Sequence, residues 1–167
     1  VKHRRTARPG NKERFEQKKI TVQDIGKKIV ATIDKANYYI KDALILVGKK
    51  DIEMSLYFIL AILNSSYVSF FYKNFSKVLS VAKNAILDLP LPSLDLVLGS
   101  KREQYNKLVK FAKDMLLLNE ELRKIPLNSE KWKSIKLEIE KTDKKIDEEV
   151  YKLYELTDEE IEIVEKS

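Results

Sequence analysis

Apolar and polar positions along the chain fall into distinct regimes. Between residues 18 and 47 they follow the two-residue period of strands: Ile20 and Val22 oppose Thr21 and Gln23 in KKITVQDI. IVATID and YYIKDALILVG continue in β-branched and aromatic residues. Three or four strands are expected, with Ile25-Gly26-Lys27-Lys28 as one turn and Asp34-Lys35-Ala36-Asn37 as a hairpin turn. Residues 52–76 are too continuously apolar for a surface strand and predict two helices broken near Asn64-Ser65-Ser66. A membrane span competes, because the 19 residues from Met54 to Tyr72 approach the minimal length. However, three polar residues sit at the centre, and the unbroken apolar run extends only from Leu56 to Leu63. A buried pair of helices is therefore the expectation.

Residues 77–99 predict a loop and a short extended piece, AILDLPLPSLDL, where Pro90 and Pro92 bar both helix and central strand. Beyond Ser100 the period becomes helical. Ser100 and Glu103 have the spacing of a capping box. Leu108, Phe111, Met115, Leu118 and Leu122 recur every three or four residues, and Pro126 follows as a stop. Asn128 or Ser129 can cap a second helix carrying Trp132, Ile135, Ile139, Thr142, Ile146, Val150 and Leu153. Thr157 with Glu160 opens a last short helix. Two such helices and a short loop predict an antiparallel hairpin about 35 Å long. The pattern as a whole indicates an α+β chain: a small mixed-sheet domain over residues 1–98, then a helical hairpin with a short terminal helix over 99–167.

Composition supports a packed core, with 44% hydrophobic residues in a chain of 167. There is no Cys and the only His is His3, so thiol chemistry, Cys-ligated zinc and a His-based dyad are excluded within the chain. Residues 1–50 hold 14 Lys/Arg against 5 Asp/Glu, a net +9, whereas residues 100–167 hold 15 against 17, a net −2. Only the front half is therefore expected to meet a polyanion, either nucleic acid or an anionic membrane. Lys2, Arg4, Arg5 and Arg8 lead into polar sequence, so no signal peptide is expected, and a start at Val1 suggests a piece of something longer.

Catalytic motifs are missing from the sequence. Gly10, Gly26, Gly48 and Gly99 are too dispersed for a phosphate loop, and there is no Asn-Pro-Pro-aromatic segment. Asp24, Asp34, Asp42, Asp51 and Glu53 are scattered; Asp34 in particular reads as a turn former. The candidate DNA contacts are Arg4, Arg5, Arg8, Lys12, Arg14, Lys18, Lys19, Lys27, Lys28 and Lys35 for phosphates and base edges. Tyr38 and Tyr39 are candidates for stacking, and Lys73, Asn74, Lys77 and Lys83 form a second polar stretch. A solubilising arm and a surface loop are the competing readings of these segments.

Three segments, in order, resemble a known family. Lys18-Lys19-Ile20-Thr21-Val22-Gln23-Asp24-Ile25 is similar to the strand that opens the TaqI-like C-terminal specificity domain. Leu60-Ala61-Ile62-Leu63-Asn64-Ser65, with the aromatic helix to Tyr72, resembles a segment shared with specificity subunits of type I systems. Leu89-Pro90-Leu91-Pro92 resembles the element leading into the following helix, and the tail from Asp147 to Thr157 resembles that of type IIG proteins, which usually carry Gly where Glu155 stands. The resemblance implies target recognition on double-stranded DNA, in the cytoplasm, without catalysis or a cofactor in this piece. It also implies a parent with an upstream adenine-specific methyltransferase or nuclease. That parent would use S-adenosylmethionine, and magnesium where it cleaves. The hairpin would be a spacer, with a dimer through it or a docked module as the assembly role. No membrane is implied. The rival expectation is a structural or oligomerisation module with no DNA-reading role.

Overall fold

A computed structural model describes residues 16–23, 29–35, 43–46, 54–75, 89, 91–93, 95–96 and 99–167. The fold class is α+β, as expected. Strands β1 (Lys19–Gln23), β2 (Ala31–Asp34) and β3 (Ala43–Leu46) form a sheet of order β2-β1-β3. Both pairings are antiparallel, so mixed character does not appear among the described strands. Lys19 stands opposite Asp34 and Val22 opposite Ala31, while Ile20 stands opposite Leu46 on the other edge. Four successive β1 residues, Lys19 to Val22, are buried. Since neighbouring side chains point to opposite faces, the central strand is covered on both sides.

The order bears on one expectation. β2 and β3 lie on opposite edges of β1 and do not pair with each other; Ala36 and Asn37 of the expected hairpin turn lie outside the described residues. Asp34 is instead the buried last residue of β2. Burial of a carboxylate requires a partner; here that partner is Lys19, directly across the ladder.

Helices α1 (Leu56–Asn64) and α2 (Ser66–Phe75) break where the polar triplet predicted. Ser55 caps α1 by accepting from the Tyr57 N–H at 3.3 Å. Ser65 turns extended, and its hydroxyl donates to the Ile62 carbonyl at 2.7 Å and accepts from the Val68 N–H at 3.3 Å. These bonds satisfy groups left open at both helix ends. Phe58 and Leu60 to Leu63 are buried. Among the described residues no helix is long and apolar enough to cross a membrane.

The hairpin consists of α3 (Arg102–Leu122) and α4 (Glu130–Tyr154), followed by α5 (Asp158–Glu165). The capping box expected at Ser100 does not form: α3 starts after Lys101 with no side-chain cap. Glu103 instead pairs with Lys107 at 2.7 Å, an i,i+4 contact. Ser129 caps α4 through the Trp132 N–H at 3.1 Å, preceded by Asn128 at φ 62°. The Thr157–Glu160 box forms in both directions. The connection into α3 passes through Gly99, where a Cβ would lie 2.7 Å from the Asp95 carbonyl oxygen.

Leu108 and Ala112 of α3, with Ile146, Val150 and Leu153 of α4, join Ile20, Val22, Ile33 and the buried face of α1 in one core cluster. The Phe58 and Tyr105 rings meet at 4.8 Å across the α1–α3 contact. The hairpin thus packs against the sheet–helix unit through residues 105–116 of α3 and 146–154 of α4, and Leu89 of the Leu-Pro segment is buried as well.

Candidate nucleic-acid interface

The order of β1, β2 and α1 decides which cations remain available. Lys18 and Lys35 are exposed just outside the ends of β1 and β2. Lys19 is not: its side chain is 0% exposed and bound to Asp34. A phosphate would have to displace a buried carboxylate to reach it, so the assignment of Lys19 as a DNA contact is corrected to a structural role. Lys73 and Asn74 are exposed in the last turns of α2. There the Lys73 ammonium reaches the Ser167 carbonyl, and the Asn74 amide donates to the Phe70 carbonyl at 2.8 Å. Arg4, Arg5, Arg8, Lys12, Arg14, Lys27, Lys28, Tyr38, Tyr39, Lys77 and Lys83 lie outside the described residues.

Asn64 shows what the Leu-Asn-Ser segment does physically. Its amide oxygen accepts from the Ala31 N–H at 2.9 Å, and its amide nitrogen donates to the Ala31 carbonyl at 3.1 Å. The side chain thus bonds the β2 backbone as a neighbouring strand would, and fastens the end of α1 to the sheet. Ser66, two residues on, is held from the hairpin. Its N–H and hydroxyl donate to the two carboxylate oxygens of Asp147 at 2.7 Å each. Burial raises the Asp147 carboxyl above its ordinary value, and the Ser66 bonds oppose the rise. Tyr151, one turn further along α4, is buried and pushed up to about 12 by desolvation and by Asp147 and Glu165.

A groove of about 1330 Å³ runs between β2, the α1–α2 break and the hairpin. It brings together the predicted Lys35 and Lys73 with Arg123, at the C-cap of α3, but also Glu120, Asp143 and Glu165. The mixed signs give the groove no net preference for a polyanion.

A more uniform cluster surrounds Tyr57, in the first turn of α1. The Lys18 ammonium lies 4.0 Å from the ring centroid and the Lys113 ammonium, from α3, lies 5.2 Å from it. A hydrogen bond from Lys18 holds the Tyr57 phenol below its ordinary value; burial opposes it, and the charges of Lys18, Lys35 and Lys113 add to the lowering. Sequence reading missed Tyr57 because it sits inside an apolar run. It missed Lys113 because α3 as a whole is near neutral. Only the offset of Lys110 and Lys113 from the apolar stripe marks a cationic side of that helix.

Exposed cations gathered around an aromatic ring, on a scaffold whose sheet acid is occupied by Lys19, are the features of a polyanion-binding module. Among the described residues no three Asp, Glu or His side chains assemble as a metal-binding group. The chain belongs to the TaqI-like C-terminal specificity domain family, whose model matches residues 2–91. The match takes in the sheet, α1, α2 and the first residues of the Leu-Pro element, and it carries a role in DNA target recognition. A specificity domain reads and does not catalyse. No curated protein and no solved structure matches the chain.

Proposed function

We propose that this chain is the sequence-specific duplex-DNA-binding part of a restriction-modification enzyme of type IIG kind, and that it positions an upstream adenine methyltransferase or nuclease. The observation that carries this reading is the family match over residues 2–91, which coincides with the strongly basic part of the sequence. A methyltransferase must flip its base out of the duplex, so a second module is needed to grip the flanking pairs. Lys and Arg to phosphates set the register, and base-edge contacts give the sequence. Residues 1–98 are the reader on this view, and 99–167 a spacer that docks neighbouring modules. S-adenosylmethionine, and magnesium for cleavage, belong to the upstream part. The protein works in the cytoplasm, where the DNA is.

Titrating a labelled duplex with the intact chain at two salt concentrations tests the reading. Affinity falls steeply with salt, because each phosphate contact releases counterions. The second reading, an assembly module, is favoured by exposed Leu117 and Leu137 on the outer sides of α3 and α4. A salt-insensitive dimer with no DNA affinity on sedimentation would select it over DNA recognition.

A further inference from the structure

We propose that Lys18 and Lys113, set on the Tyr57 ring with Lys35 nearby, clamp a backbone phosphodiester of duplex DNA, so that the hairpin itself contacts DNA. This rests on the DNA-binding reading and adds a site to it, since Lys113 lies beyond the residues that the family match covers.

The site is assembled from four elements. Lys18 immediately precedes β1, Lys35 immediately follows β2, Tyr57 belongs to the first turn of α1, and Lys113 lies midway along α3. The two ammoniums, 4.0 and 5.2 Å from one centroid, are each within cation–π range of the ring, and Lys18 also hydrogen-bonds its hydroxyl. They are therefore no further apart than the sum of those distances. Like charges this close repel, and the charges that lower the Tyr57 phenol are those of Lys18, Lys35 and Lys113. Lys35 does have Glu120 within electrostatic reach, but Glu120 is itself bound by Lys124 at 2.8 Å. The first turn of α1 contains no acidic residue, so the positive end of the helix dipole adds to the same field. An anion at this point relieves the repulsion of all the cations together. All three lysines are exposed, so a duplex can reach them without unfolding anything.

The ring acts as a positioning group. It orders two long side chains before the ligand arrives, which reduces the entropy lost on binding. A phosphate contact of this kind strengthens binding to all sequences alike and sets the register of the reader on the duplex. It also fixes the hairpin relative to the DNA.

The test measures binding of the intact chain to a labelled mixed-sequence duplex over a range of salt. Lys113→Gln lowers the slope of log affinity against log salt by up to about 0.9, the value for one phosphate, and Lys113→Arg restores it. Tyr57→Leu produces a loss of the same kind and Tyr57→Phe a smaller one, because the ring stays while the hydroxyl that Lys18 hydrogen-bonds is gone. Lys136→Gln is the control: its ammonium lies 5.7 Å from the Trp132 ring, away from any such cluster, and the slope stays unchanged. A Lys113→Gln slope equal to that of the unsubstituted chain overturns the clamp and leaves DNA recognition standing. If the unsubstituted chain binds no duplex, both fall. Lys113 is a surface residue, so its variants fold even where Tyr57→Leu does not.

Discussion

At the scale of single residues, some polar side chains that looked like surface chemistry are internal fastenings. Lys19 is the clearest case. In sequence it is one lysine among several in a basic segment, and only its register opposite Asp34 takes it out of solvent. Replacing Lys19 with Ala strands a buried carboxylate and costs about 3–5 kcal/mol in a denaturant titration, whereas Lys19→Met with Asp34→Leu recovers most of the loss. Asn64→Ala leaves the Ala31 N–H and carbonyl without their partner and costs about 2 kcal/mol or more. Asn64→Asp does no better, because a carboxylate cannot donate to the Ala31 carbonyl.

Asp147 and Tyr151 give the fold a dependence on pH. Both have folded-state values above their ordinary ones, so the protonated forms are favoured in the fold. For Tyr151 this stability is fully present below pH 10 and is lost as pH rises from 10 to about 12. Tyr151→Phe abolishes that loss in thermal melts across the window. It also removes a hydroxyl that has no hydrogen-bond partner among the described residues. For Asp147 the same sign holds at the acid end: its contribution is present at low pH and lost as pH rises through its elevated value. Asp147→Asn flattens that part of the profile while keeping one acceptor for the Ser66 N–H.

At the scale of elements, what sequence showed and what it hid have separate physical causes. The helix break at Ser65, the long hairpin, the Ser129 cap and the Thr157–Glu160 box were legible because short-range rules fix them. The order β2-β1-β3 was not, because strand order depends on contacts between segments far apart in sequence. The Ser100 box is absent because α3 starts one residue later, with Lys101 at the N-cap, which takes Glu103 out of the position a box with Ser100 needs. Helix α4 ends at Glu155 in the left-handed region, φ 57°, with the Leu156 N–H bonding the Tyr151 carbonyl at 3.0 Å. This is the geometry that glycine adopts at lowest cost. Glu155→Gly therefore raises the melting temperature by about 2 °C, the relieved backbone outweighing the exposed pair with Lys101.

At the scale of the whole molecule, the basic front and near-neutral rear of the sequence correspond to parts that share one core. Hydrophobic periodicity identified both parts, but not their packing, because which face of α3 meets α1 depends on residues such as Phe58 and Tyr105 that sit in different regimes of the pattern. The same packing brings Lys113 to Tyr57, a juxtaposition that no spacing in the sequence could indicate.

Selection from a pool of duplexes with a randomised centre tests target recognition most directly. The intact chain, bound at low salt and washed at rising salt, enriches one defined sequence over successive rounds. A pool that stays random after those rounds, whether or not the chain retains DNA, contradicts the account.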